Sequence, residues 1–160
     1  MILVMMGVAG SGKTALGQLL AARLGWPFLE GDDYHSKSNV EKMAQGIPLN
    51  DEDRAGWLAA IAEHIKILEQ NGKSGIVACS ALKEAYRKKL ASAGKDVRFV
   101  FLRGDYELLQ QRLESRTGHF MKPAMLKSQF ETLEEPKNAL DIDIKDSPER
   151  IVDAILQMMR

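Results

Sequence analysis

The first fourteen residues, MILVMMGVAGSGKT, constrain the fold of this chain more than any other stretch. Residues 7–14 match the phosphate-binding loop pattern G-x-x-x-x-G-K-[ST]. Glycine has no Cβ, so its backbone adopts positive φ angles and can close tightly around an anion. The N–H groups of such a loop, together with the N-terminus of the following helix, bind phosphate oxygens. The pattern therefore predicts a nucleotide site formed by Gly7, Val8, Ala9, Gly10, Ser11, Gly12, Lys13 and Thr14.

The sequence on both sides of this loop has the character that the motif requires. Residues 2–6 are all apolar, as in a buried parallel strand, and leucines at helical spacing follow the loop until Gly25. A strand before the loop and a helix after it favour a true phosphate site over a chance glycine-rich turn. In this setting Lys13 reaches the β- and γ-phosphates, and the Thr14 hydroxyl ligates Mg²⁺.

Length and composition limit the remaining possibilities. With 160 residues, the chain is long enough for one domain with a substantial core. Its 22 basic and 22 acidic residues cancel, which gives no support to nucleic acid or an anionic membrane as a partner. The single cysteine, Cys79, excludes an intramolecular disulfide and is expected to be buried. No apolar run reaches membrane-spanning length or resembles a signal peptide, so a reducing cytoplasm is the expected setting.

Apolar segments that alternate with helical patterns predict the rest of the fold. Further strands are predicted in residues 27–30, 75–79, 97–102 and 139–145, the last at an edge because its apolar and charged residues alternate. Strands that alternate with helices form a parallel sheet with right-handed crossovers and helices on both faces. We therefore predict a single three-layer α/β domain over residues 1–160.

Acidic residues follow the second predicted strand. Ligands of open α/β sheets bind at the carboxyl ends of the strands, so Asp32 and Asp33 are expected on the edge that holds the phosphate loop. A carboxylate there can accept the proton of a substrate hydroxyl, or hold Mg²⁺ through water. Both residues could instead cap a helix; their positions favour catalysis for Asp32 and capping for Asp33. His35 by itself is weak evidence for a functional site, because a lone histidine is usually structural or solvated. Trp57 is expected in the core.

Basic side chains are expected on the same edge. Lys83 follows the third predicted strand and should face the cleft. Arg54, near the start of a helix, is either solvated or a bidentate donor to a carboxylate or phosphate. Arg112 and Arg116 are four residues apart, so they share a helical face and could neutralise charge on transferring phosphates; a solvated basic face is the alternative. Residues 117–120 break this helix and could hinge a lid that excludes water.

Three classes of phosphate-loop protein compete for this chain. A GTPase carries an N-K-x-D motif that reads the base, and a motor-type ATPase carries an apolar strand that ends in Asp-Glu. Neither pattern occurs here. The third class, a small-molecule kinase, fits the chain length, the acid after a strand and the arginine pair before a possible lid.

The chain resembles the bacterial gluconokinases, ATP-dependent gluconate 6-kinases related to shikimate kinases and nucleoside monophosphate kinases. The matching segments, which extend over residues 6–136, are MGVAGSGKT, EGDDYH, NVEKMAQGIPLNDEDR, CSALKEAYR, RLESRTGHF and SQFETLEEP. The phosphate loop alone is shared by very many proteins. The occurrence of all these segments in this order is specific to the gluconokinase family.

This resemblance implies a fold of the adenylate-kinase type with a small lid over about residues 116–127, and a homodimer. The implied reaction is transfer of the γ-phosphoryl group of ATP to the 6-hydroxyl of D-gluconate, with Mg²⁺. Asp32 would lie against the reactive hydroxyl. The implied substrate-binding residues are Asp32, His35, Arg54 and Lys83. The lid-side arginines would be Arg112 and Arg116, and the segment near Asp146 would lie by the adenine.

Two positions depart from the family pattern. Residues 36–38 are Ser-Lys-Ser, where the family often has proline followed by basic residues, and Gly56 replaces a usual proline. The first departure leaves open another small hydroxy acid as the acceptor. A nucleotide-binding sensor without turnover is the remaining alternative. The second departure loosens a helical turn and is expected to leave Arg54 in place.

Overall fold

Five short strands form a parallel sheet in the computed structural model of the protein, which describes residues 1–115 and 123–160. The strands are β1 (Ile2–Met6), β2 (Phe28–Glu30), β3 (Gly75–Ala78), β4 (Val97–Arg103) and β5 (Leu140–Asp143). Their spatial order is β2-β3-β1-β4-β5, and every pairing is parallel. The interior strands β1 and β3 are buried along their whole length, whereas β5 lies at an edge as predicted.

Helices connect these strands. They are α1 (Lys13–Leu24), α2 (Lys37–Ala44), α3 (Asp51–Gln70), α4 (Glu84–Ala91), α5 (Tyr106–Glu114), α6 (Pro123–Thr132) and α7 (Pro148–Met158), with a 3₁₀ helix at Gly31–Tyr34. Local signals set their ends: Asn50 and Asp53 form a capping box on α3, and Ser147 caps α7 before Pro148. The lid predicted over residues 116–127 lies in part outside the described residues.

The two faces of the sheet are covered by separate apolar clusters, because neighbouring residues of a strand point to opposite faces. In β1, Leu3 and Met5 pack with residues of α1 and α7, whereas Val4 packs with residues of α3 and α4. Burying one such side chain stabilises the fold by roughly 1.5–3 kcal/mol. The predicted α/β fold with a parallel sheet and helices on both faces is therefore confirmed.

Cys79 follows β3 and is 1% exposed. Burial raises the pKa of its thiol to about 12, so the side chain behaves as a small apolar residue and not as a nucleophile. In the described part of the chain, we find no helix with the length and apolar character needed to span a membrane.

Candidate active site

Glycines shape the loop between β1 and α1. Gly7, Gly10 and Gly12 have φ angles of 149°, 81° and 95°, a region that residues with a Cβ rarely adopt. A Cβ on Gly7 would lie 2.9 Å from the Leu102 carbonyl oxygen and 2.8 Å from Ser11 Oγ. Gly12 precedes α1 and supplies no capping side chain, so the N–H groups of the first helical turn remain for an anion.

Lys13 lies at the mouth of this loop. Its Nζ donates to the carbonyl oxygens of Gly7 and Val8, each at 3.1 Å. The ammonium group is thereby held against the same backbone that would bind phosphate. This arrangement fits a nucleotide phosphate group, because N–H groups and a cation converge on one place.

The loop opens into a cavity of about 280 Å³. Met43, Leu49 and Met125 form a small apolar cluster on its wall, which joins α2 to α6. The predicted site residues that the cavity brings together are Ala9, Gly10, Gly12, Lys13, Thr14, Asp32, His35 and Arg54. Residues from distant parts of the sequence therefore meet at the carboxyl edge of the sheet.

Thr14 and Asp32 share a partner that the sequence reasoning missed. The Thr14 hydroxyl donates to the carboxylate of Glu30, the last residue of β2. The same carboxylate accepts the backbone N–H of Asp32 at 3.3 Å. Glu30 therefore ties the phosphate loop to the segment that carries the predicted catalytic acid. Its position two residues before Asp32 is the signal that could have identified it.

The oxygen atoms around Thr14 suit a hard cation. Among residues 1–115 and 123–160, no cluster of three or more His, Cys, Asp or Glu side chains could hold a metal ion. Mg²⁺ in kinases needs no such cluster, because it keeps several waters and binds phosphate oxygens with one or two protein ligands. Thr14, Glu30 and Asp32 therefore fit an ion that arrives with the nucleotide.

His35 is held at the cavity wall by stacking. Its side chain is 5% exposed, and its ring stacks on Trp57 with centroids 4.3 Å apart and planes 14° apart. Trp57 Nε1 donates to the Gly31 carbonyl at 2.7 Å. Burial lowers the pKa of His35, which keeps the imidazole neutral near pH 7. Trp57 is buried, as expected, and also lines the cavity.

Arg54 is a buried cation on the cavity wall, 9% exposed. Its Nη1 donates to the Tyr86 hydroxyl at 3.1 Å, and its Cζ lies 5.6 Å from the centroid of the Tyr86 ring. The Tyr86 hydroxyl donates in turn to the Asp51 carboxylate. A planar guanidinium held in this way is suited to bidentate recognition of a carboxylate or phosphate.

Lys83 does not line the cavity, although it follows β3 as predicted. Its Nζ donates to Asp51 Oδ1 at 2.9 Å, and this bond raises the pKa of Lys83. Because Asp51 also accepts from Tyr86, Lys83 contacts the partners of Arg54 and not Arg54 itself. The direct substrate contact proposed for Lys83 remains a prediction.

Arg112 is also outside the cavity lining. Its Nη2 donates to the Ile144 carbonyl at 2.8 Å, next to the segment around Asp146 that is predicted to lie by the adenine. Its role toward the nucleotide phosphates remains a prediction. Arg116, its predicted partner, lies outside the described residues.

Two more contacts of the phosphate loop were not anticipated. The Ala9 N–H donates to Gln129 Oε1 at 2.7 Å, across 120 residues of sequence. The Gly7 N–H donates to the Ser80 carbonyl at 3.3 Å. Gln129 belongs to the segment SQFETLEEP, so the motif pattern marked the segment but not the side chain that bonds to the loop.

The chain is similar to known small-molecule kinases. The family model of shikimate kinase matches residues 9–160. Thermoresistant gluconokinase of Escherichia coli K12 is 40% identical over 163 residues, which cover 99% of this chain and 93% of the relative. Thermosensitive gluconokinase of the same organism is 47% identical and covers 84% of this chain and 72% of the relative.

A solved gluconokinase structure is also similar to this chain. The crystal structure of a gluconokinase from Sinorhizobium meliloti 1021 has a TM-score of 0.88 and 42% identity. The match covers 97% of this chain and 89% of that chain. The chain therefore belongs to the gluconokinase family and carries a shikimate kinase-type domain of an ATP-dependent kinase.

Proposed function

We propose that the protein transfers the γ-phosphoryl group of ATP to the 6-hydroxyl of D-gluconate, giving 6-phosphogluconate and ADP. One observation carries this proposal. A single cavity joins a phosphate loop to a carboxylate, a neutral imidazole and a buried guanidinium, in a chain related to gluconokinases over nearly its whole length. These are the groups that a hydroxy acid and a triphosphate need when they react side by side.

The nucleotide half of the site binds charge. Lys13 and the N–H groups of the loop bind the β- and γ-phosphates and stabilise the charge that develops on transfer. Mg²⁺, at Thr14 and through water at Asp32, would neutralise negative charge on the same oxygens. Glu30 accepts the hydrogen of the Thr14 hydroxyl, which leaves the lone pairs of that oxygen for a cation.

The acceptor half orients the sugar acid. Arg54 binds the carboxylate of gluconate. Asp32 accepts the proton of the 6-hydroxyl while the oxygen of that hydroxyl bonds to the γ-phosphorus. The bond from that phosphorus to the bridging oxygen breaks, and ADP leaves. Phosphoryl transfer needs little covalent help from the protein, so positioning by these residues supplies most of the rate enhancement.

The family departure at residues 36–38 does not weaken this proposal. Ser36 caps α2 by accepting the N–H of Asn39 at 3.1 Å. Residues 36–38 are exposed, and none of them lines the cavity. With Gly56 in place of the usual proline, Arg54 lines the cavity. The alternatives, another hydroxy acid as acceptor or a sensor without turnover, therefore gain no support from the site.

Closure and assembly complete the proposal. A lid over about residues 116–127 would cover the nucleotide and bring Arg112 and Arg116 to its phosphates, and two chains would form a homodimer. Lid closure predicts that residues near Arg116 become protected from proteolysis when ATP and gluconate are both present. Light scattering after gel filtration measures the mass of the assembly.

The acceptor is tested by a coupled assay of ADP release. The purified protein is given ATP, Mg²⁺ and one candidate acceptor at a time: gluconate, shikimate or a nucleoside monophosphate. We expect turnover with gluconate above all others. Turnover with shikimate alone would show that the acceptor is another hydroxy acid and not gluconate. ATP binding without turnover on any acceptor would leave only the sensor.

A further inference from the structure

Asn39 is a buried polar residue of α2 that lies behind the acceptor half of the cavity. It is 3% exposed and does not line the cavity. Its Nδ2 lies 2.8 Å from the Asp53 carbonyl oxygen and 3.3 Å from His35 Nδ1. The two hydrogens of one amide group therefore point to two different partners.

The Asp53 contact determines which way the amide faces. A backbone carbonyl only accepts hydrogen bonds, so the Asn39 NH₂ group, and not its oxygen, must face it. The second hydrogen of that group then points at His35 Nδ1. A nitrogen that accepts a hydrogen bond carries no proton, and a neutral imidazole has its single proton on the other nitrogen. The proton of His35 is therefore on Nε2.

The position of His35 Nε2 allows this proton to be donated to a substrate hydroxyl. Nε2 lies 3.9 Å from Asp32 Oδ1, which is too long for a direct hydrogen bond. One hydroxyl oxygen can lie within hydrogen-bond distance of both atoms. It would accept from His35 Nε2–H and donate to Asp32. With the other tautomer, Nε2 would compete with Asp32 for the hydroxyl proton.

We propose that Asn39 is a positioning residue that holds His35 in its Nε2–H tautomer, so that His35 and Asp32 present one donor and one acceptor to a single hydroxyl of the acceptor substrate. The inference rests on the proposed function for the identity of that substrate. The tautomer itself is a property of the protein alone.

The first test needs no substrate, and the tautomer is measured in the native protein. Long-range proton–nitrogen correlation spectra of the imidazole side chains show which nitrogen is protonated. The chain has 3 histidines, and the signal that is lost in His35→Gln identifies His35. We expect a protonated Nε2 in the native protein at neutral pH. A protonated Nδ1 would overturn the proposal even if gluconate proves to be the substrate.

The second test separates the tautomer from simple packing. Asn39→Asp places an acceptor against His35 Nδ1 and should move its proton there, lowering kcat about tenfold while the KM for ATP changes less than about twofold. Lys42→Ala is the matched control. Lys42 is also on α2 and also binds Asp53, at 2.9 Å, but its bonds do not include His35. It should leave kcat and the His35 tautomer unchanged.

A double-mutant cycle completes the test. Glutamine carries an N–H near the place of Nε2 and has no tautomers, so Asn39→Asp in the His35→Gln background should lower kcat less than about twofold. An equal fall in both backgrounds, or a fall with Lys42→Ala that matches that of Asn39→Asp, would overturn the proposal. If gluconate fails as a substrate, the cycle is measured with the acceptor that turns over, so the two failures remain distinct.

Discussion

The two halves of the cavity are built in different ways. The nucleotide half comes mainly from one continuous segment, residues 7–14, whose backbone groups and Lys13 contact one another. The acceptor half is assembled from side chains that are far apart in sequence. Trp57 bonds to Gly31 across 26 residues, and Arg54 bonds to Tyr86 across 32.

This difference indicates which substitutions should disrupt each half. Backbone N–H groups bind phosphate whatever the side chains beside them, so the loop depends on the conformational freedom of glycine and on one cation. The acceptor half depends on side-chain contacts between elements, and a change in one contact displaces the next. Substitutions in the acceptor half should therefore leave ATP binding nearly unchanged, whereas distortion of the loop should weaken it.

The largest effect is expected from Lys13→Ala in the nucleotide half. Because this cation stabilises charge on the transferring phosphates, its loss should lower kcat by about a thousandfold. Steady-state ADP release measures the change, and thermal unfolding shows whether the fold survives. Lys37→Ala is the control, since Lys37 is exposed and does not line the cavity. Equal turnover of Lys13→Ala and the native protein would remove Lys13 from the mechanism.

Asp32→Asn should have the next largest effect and test the acceptor half. An amide cannot accept the hydroxyl proton as a carboxylate does, so kcat should fall about a hundredfold. The affinity for ATP should change less than about twofold. The neighbouring Asp33→Asn is a matched control, because Asp33 is exposed and outside the cavity lining. A loss confined to ATP binding would instead assign Asp32 to the nucleotide half.

Arg54→Lys should have a smaller effect that is confined to the acceptor. Lysine keeps the charge but loses the planar fork, so the KM for gluconate should rise about tenfold with little change in the KM for ATP. Tyr86→Phe removes only the hydroxyl that Arg54 contacts and should raise the KM for gluconate less than Arg54→Lys does. A larger effect of Arg54→Lys on ATP would mean that Arg54 binds phosphate.

The smallest effect is expected from Gly56→Ala on α3, which is contrasted with the disruptive Gly7→Ala in the loop. A Cβ on Gly56, inside α3, would have nothing within 4 Å, so Gly56→Ala should stabilise the fold by about 0.5–1 kcal/mol. The gain should appear as a higher thermal unfolding midpoint with kcat unchanged. Gly7→Ala has no room for its Cβ and should lower both the midpoint and ATP binding. A neutral Gly7→Ala would show that the loop tolerates side chains.

Most of the fold could be predicted because its signals are local. The apolar run of β1, the glycines of the loop and the caps of α3 and α7 are read from neighbouring residues. Strand ends were predicted less accurately: β5 extends over Leu140–Asp143, within the longer segment 139–145 that alternation had predicted. Alternation does not mark where the ladder of hydrogen bonds stops.

The candidate site was predictable only in part. Asp32, which follows a strand, and Arg54, which the family motifs indicated, both line the cavity, and their roles remain predictions. Lys83 was expected in the cleft on similar grounds, but it pairs with Asp51 outside the cavity lining. A strand end gives the edge of the sheet on which a residue lies, not the direction of a long side chain.

The sequence by itself determined the parallel sheet, the phosphate loop and the kinase family, because each depends on residues that are neighbours in the chain or on motifs in a fixed order. Only the tertiary structure decided that Glu30 bonds to Thr14, that Gln129 bonds to the loop and that Asn39 bonds to His35. The physical reason is that a hydrogen bond between distant side chains depends on how helices pack over the sheet. The spacing of residues in the sequence does not determine how close two such side chains lie in the folded protein.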